Sequence, residues 1–192
     1  MPLLLKWLYP SVEWGKPTLE NSIYLTFDDG PHPEITPWVM DELEKYGYKA
    51  TFFCIGDNVR KYPETYQQIL ERGHLTGNHT FNHLKGFNTT NLAYFENTKA
   101  CAQLVQSNLF RPPYGYLKPS QISHLQQKQN YKIIMFSIIA EDWNVNLDVF
   151  LKLDLLKRQT KPGDIVIFHD SEKAKKNLEI LLPAYLEHLN EK

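Results

Sequence analysis

The chain has 192 residues, with 21 Lys and Arg against 22 Asp and Glu, and it is 42% hydrophobic and 22% charged. This balance suits one domain, residues 1–192, with a sizeable core. No basic run is longer than KAKK and no apolar run approaches the ~20 residues of a transmembrane helix, so neither a nucleic acid nor a membrane partner is expected.

The opening MPLLLKWLYP is apolar but short, broken by Lys6 and Pro10, and lacks a small-residue cleavage site. It predicts no export signal and leaves the cytoplasm as the default location. SIYLTF then reads as a strand, β-branched and aromatic, and PEITPWVMDELEKYG as a helix with apolar residues at helical spacing and a terminal Gly. KATFFCI reads as the second strand and PETYQQILERG as a helix. HLTGNH is a short segment before the helix NLAYFENTKACAQLVQ, and NLFRPP is a strand stopped by two prolines. PSQISHLQQKQN is helical, and YKIIMFSII, the most apolar strand in the chain, is expected as a single element. LDVFLKLDLLKRQTKPG, DIVIFHD and EKAKKNLEILLPAYLEHLN close the chain as helix, buried strand and helix. About six strands alternate with helices, which predicts parallel strands with right-handed crossovers in an incomplete (β/α) barrel. Cys54 and Cys101 are too few for a disulfide framework and are expected as free or buried thiols.

Polar residues of chemical interest collect where the strands end. Asp28 and Asp29 follow YLTF, His79 and His83 follow HLTG, Arg111 follows NLF, Asp142 follows FSII, and His169 ends DIVIF. In a parallel barrel these positions share one rim. HTFNH places two imidazoles at i and i+4, a spacing that on a helical turn grips one metal ion. With one carboxylate they would form a zinc site with a position open for water. Neighbouring aspartates on a strand point to opposite faces, so their sharing one pocket requires a backbone twist, which Gly30 and Pro31 allow. One would bind metal and the other act as base, with Arg111 keeping it ionised. An isolated DDGP is equally compatible with an Asx-type turn that caps the next helix.

TFDDGP, HTFNH, RPPYG, EDW and IVIFH together resemble, in order and approximate spacing, the five motifs of the polysaccharide deacetylases (NodB-homology domain, carbohydrate esterase family 4). The resemblance implies a distorted (β/α) barrel of about seven strands and removal of N-acetyl groups from chitin-type oligosaccharides or peptidoglycan. Alternatives are an O-acetyl esterase on xylan and an inactive sugar-binding protein. It implies Asp29, His79 and His83 as ligands of zinc, with cobalt or nickel as substitutes. Asp28 becomes the base and Arg111 its partner, His169 the general acid and Asp142 the carboxylate that tunes it. Tyr114 would lend its backbone N–H to the oxyanion, and Trp143 and Ile167 would wall the acetyl-methyl pocket. The family often acts on glycans outside the cytoplasm. The fourth motif usually reads Asp-x-x-Asp-Trp, and Ile139 stands here at its first acidic position. Of the other histidines, His32 is expected in a solvated loop, His74 as a structural hydrogen-bonder, and His124 and His188 facing solvent. Trp38, Phe87 and Tyr116 are expected in packing or on helix surface rather than stacking on sugars.

Overall fold

The computed structural model describes residues 11–16 and 22–191, so the reading of residues 1–10 lies outside the described residues. Among the described residues, seven strands form one sheet: β1 (Tyr24–Asp28), β2 (Thr51–Cys54), β3 (Leu75–Asn78), β4 (Leu109–Phe110), β5 (Lys132–Ile133), β6 (Ile138–Ile139) and β7 (Ile165–His169). Their order is β5-β4-β3-β2-β1-β7-β6, and every pairing is parallel. The crossovers run through α1 (Ile35–Glu44), α2 (Gly56–Lys61), α3 (Pro63–Glu71), α4 (Asn91–Ala102), α5 (Pro119–Gln127) and α6 (Val149–Gln159), and α7 (Lys175–Asn190) follows β7.

YKIIMFSII is not one strand. It divides into β5 and β6, which lie on opposite edges of the sheet. A flat sheet of this order would separate those edges by about 29 Å. Five residue steps span only about 18 Å, so the sheet must curl until its edges nearly meet. The strand breaks because its carbonyls have another partner. Arg111 donates from Nε to the Ile134 carbonyl at 3.1 Å and from Nη2 to the Met135 carbonyl at 2.8 Å. The early segment fills part of the remaining gap: Glu13 N–H donates to the Ile133 carbonyl, and Met135 N–H donates to the Glu13 carbonyl.

Alternation along the strands sorts the core into two layers. Leu25, Phe27, Phe52 and Phe168 face the helices, where the Phe27 ring stacks on Phe52 and Phe168 at centroid distances of 5.2 and 5.7 Å. They pack with Val39, Met40 and Leu43 of α1 and Leu178, Leu181 and Leu182 of α7. Phe53, Ile134 and Ile165 fill the barrel interior. Gly77 makes room for them, because a Cβ there would stand 2.5 Å from the Phe53 ring. Cys54 and Cys101 are buried and free.

Candidate metal centre and catalytic rim

Asp28 is in register with Phe53 and His169, so its side chain points into the barrel. Strand alternation would send Asp29 outward to the helices. Instead Asp29 adopts φ 82°, the left-handed region, which turns its carboxylate back to the same side. The expected twist is therefore in Asp29 itself, just before the cis Gly30–Pro31 bond. Asp28 is 3% exposed, and its Oδ1 accepts from Arg111 Nη1 at 2.8 Å. Arg111 is 1% exposed and also donates to Thr26 Oγ1 at 2.7 Å, while its guanidinium carbon lies 4.1 Å from the centre of the Phe53 ring. With four polar acceptors and an aromatic face around it, this cation has one available position.

His79 directly follows β3, and its Nδ1 donates to the Arg111 carbonyl at 2.7 Å, which leaves Nε2 with a lone pair facing the pocket. Nε2 lies 3.6 Å from Asp29 Oδ1 and 3.8 Å from Asp28 Oδ2, and His83 Nε2 lies 3.2 Å from Asp29 Oδ1. HTFNH is not a helical turn: Thr80 and His83 have φ 63° and 55°. Side-chain acceptors hold it as a loop, with Asn78 Oδ1 on Thr80 N–H and Asn97 Oδ1 on Phe81 N–H. The donor atoms of Asp29, His79 and His83 lie within 4.8 Å of one another. Ligands of a tetrahedral zinc ion stand about 3.3 Å apart, close to the two spacings around Asp29. Asp29 Oδ1 is buried and, among the described residues, accepts no hydrogen bond of good geometry. Three lone-pair donors converging on one point, one of them orphaned, fit a divalent cation. Burial opposes charge on Asp29, but the neighbouring His83, His169 and His79 overcome it and hold its carboxyl below the usual carboxylate range.

His169 ends β7 beside Asp28, and Asp142 accepts from it twice, from Nδ1 at 2.7 Å and from the backbone N–H at 2.8 Å. Asp142 is fully buried. Burial alone would lower the His169 pKa, but the charge and hydrogen bond of Asp142, with help from Asp29 and Asp28, carry it up to about 9.

Residues 15–134 match the family model described as polysaccharide deacetylase. The chain belongs to the polysaccharide deacetylase family. A peptidoglycan-N-acetylglucosamine deacetylase from Bacillus cereus is 37% identical over 177 residues, covering 88% of this chain and 82% of that protein. A chitooligosaccharide deacetylase from Azorhizobium caulinodans is 34% identical over 158 residues, covering 79% and 74%. Among solved structures, the peptidoglycan N-acetylglucosamine deacetylase Bc1960, in complex with 4-naphthalen-1-yl-N-oxidanyl-benzamide, superposes with TM-score 0.79 at 25% identity. That match covers 97% of this chain and 91% of that one. The relatives are glycan N-deacetylases, hydrolases of amide bonds, and the curled sheet found here is the barrel of that family.

Within this deacetylase rim, Tyr114 sits at φ 62° with its ring 4.7 Å from that of His83. Ile167 is buried and in register with Ile139, so the residue replacing the usual acid adds apolar surface beside it. Trp143 is 38% exposed, with the Lys173 ammonium 5.2 Å from the centre of its ring. The remaining histidines divide. His74 accepts from Ala50 N–H, as expected, and burial lowers its pKa to about 4. His32 lies in a partly exposed loop, as expected, and its Nδ1 accepts the Glu34 and Ile35 amides at the start of α1. His124 stacks on Phe95 at 3.7 Å, and His188 Nε2 lies 3.3 Å from the Lys157 carbonyl, so neither faces solvent freely. Trp38 packs on the core, whereas Phe87 and Tyr116 are exposed and line a cavity of about 560 Å³ with Trp14 and Met135.

Sequence reasoning passed over Thr26, Asn58, Asn177 and Asp170. Asn58 Nδ2 donates to the Asp29 carbonyl at 2.7 Å, and Asn177 Nδ2 donates to the carbonyls of Asp142 and Asn144. Asp170 was visible in DIVIFHD, one residue beyond His169, but nothing local marks what it holds.

Proposed function

We propose that this chain is a metal-dependent deacetylase that removes N-acetyl groups from an amino-sugar glycan of the chitin-oligosaccharide or peptidoglycan type. The observation that carries the reading is the set of three converging donors, Asp29, His79 and His83, with the Arg111-paired carboxylate of Asp28 beside it. The names of the relatives support the substrate class.

Asp29, His79 and His83 would hold zinc, or cobalt or nickel in its place. When bound, the ion supplies Lewis acidity toward the acetyl carbonyl and toward water. Asp28, paired with Arg111, takes a proton from the water as its oxygen attacks the carbonyl carbon. The backbone N–H of Tyr114 would donate to the oxygen that gains charge in the tetrahedral species, a role worth about 3–4 kcal/mol in other hydrolases. His169, protonated through its pairing with Asp142, gives its proton to the nitrogen as the C–N bond breaks. Acetate and a free amine leave. Ile167 and Trp143 would border the acetyl methyl.

The test is acetate release from a chitin pentamer and from peptidoglycan fragments by zinc-loaded protein, against a chelated control. Acetate that disappears with chelator and returns with zinc is the expected result. Acetate released only from acetylated xylan would make the chain an esterase, and saturable sugar binding without acetate would sink the enzymatic reading.

A further inference from the structure

Asp29 is a non-glycine residue in the left-handed region, a conformation that persists only where its surroundings over-determine it. The surroundings are specific. Asp170 N–H donates to the Asp28 carbonyl at 3.1 Å, on one side of Asp29, and Asp170 Oδ1 accepts the Gly30 amide at 3.0 Å on the other. Asn58 takes the Asp29 carbonyl, and Ile55 N–H takes the Gly30 carbonyl at 2.9 Å. The Asp170 carboxyl is itself aimed. Thr36 Oγ1 accepts from His32 N–H at 2.7 Å, so its own proton goes to Asp170 Oδ2, 2.5 Å away. Asp170 is 1% exposed and lies tight against the turn: a Cβ on residue 30 would stand 2.0 Å from Oδ2, which is why only glycine fits there.

We propose that Asp170 is a positioning residue for the metal ligand Asp29: by gripping the peptide groups on both sides of it, Asp170 turns the Asp29 carboxylate inward to His79 and His83. Asp170 touches neither substrate nor metal. Its effect is on the geometry of one ligand, and it rests on the metal-site reading above. Thr36 is the residue that holds it in register, linking the first turn of α1 to the end of β7.

The experiment is titration of the metal-free full-length chain with Co2+, following the visible absorption of the bound ion as well as affinity. Asp170→Ala should weaken binding about 10- to 100-fold and alter the band shape. Asp170→Asn keeps an acceptor for the Gly30 amide and a polar atom for Thr36, and should restore near-wild-type affinity, which a role based on charge would not allow. If Asp170→Ala fails to fold, Thr36→Val keeps the volume, removes the hydroxyl that aims the carboxyl, and should give an intermediate weakening with an altered spectrum. Wild-type affinity and spectrum in a folded Asp170→Ala or Thr36→Val protein would overturn this inference alone. A wild-type chain that binds no Co2+ would overturn the metal reading and this inference with it.

Discussion

Two buried carboxylates on the same rim, Asp28 and Asp142, each face one cation at nearly the same distance, 2.8 and 2.7 Å. Their partners make them different. Arg111 cannot lose its proton at any accessible pH, so the Asp28 pair is a fixed charge arrangement that leaves one carboxylate oxygen to receive a proton. His169 titrates, so the Asp142 pair is a store from which a proton can be given. In the mechanism proposed above, the same geometry would serve as a base in one pair and as an acid in the other. The chemistry of each carboxylate is decided by the pKa of the cation it holds.

The largest effect follows from removing the fixed partner. Arg111→Ala leaves Asp28 as an uncompensated buried charge and frees the carbonyls of Ile134 and Met135, so it should cost about 3–5 kcal/mol in urea unfolding. His169→Ala should cost less, because the backbone N–H of residue 169 still serves Asp142, while lowering turnover about 10²- to 10⁴-fold. Equal stability losses in the two variants would break the distinction between a fixed and a titrating pair.

What the sequence reveals of this rim follows the same division between local and distant causes. Asp28, Asp29, His79, Arg111 and His169 stand out because charged or imidazole side chains terminate apolar strands, a purely local signal. The inward turn of Asp29 is only half legible: Gly30 and Pro31 announce a twist, but the groups that enforce it, Asp170 and Thr36, lie 140 residues from Gly30 and 134 from Asp170 respectively. YKIIMFSII reads as one strand because nothing within it shows that Arg111 claims two of its carbonyls from 23 and 24 residues away. HTFNH fits a helical turn and a loop equally well by spacing. The side chains of Asn78 and Asn97 decide for the loop.

The titrating pair is sharpened by pH. A reaction that needs protonated His169 should lose kcat/KM as pH rises through about 9. Asp142→Asn removes the largest charge that raises this pKa and leaves burial, which lowers it, opposed only by the smaller effects of Asp29 and Asp28, so the limb should move down toward the ordinary value of about 6.5. Stability carries the same sign. The folded pKa is raised, so the contribution is complete below about 6.5 and is lost as pH climbs through about 9. An unmoved limb in Asp142→Asn would mean that another group donates the proton.

The smallest effect separates charge from scaffold within that pair. Asn177 reaches from α7 to the backbone carbonyls of Asp142 and Asn144, each at 2.9 Å, and never touches the carboxylate. Asn177→Ala should remove two hydrogen bonds and cost about 1–2 kcal/mol of stability. The pH limb should stay where it was, because both carboxylate oxygens of Asp142 remain on His169. If the limb shifted as far as in Asp142→Asn, the pKa of His169 would be set by the placement of the loop. The two pairs would then differ in anchoring as well as in the cation, since Arg111 is held by the barrel wall and needs no such strut.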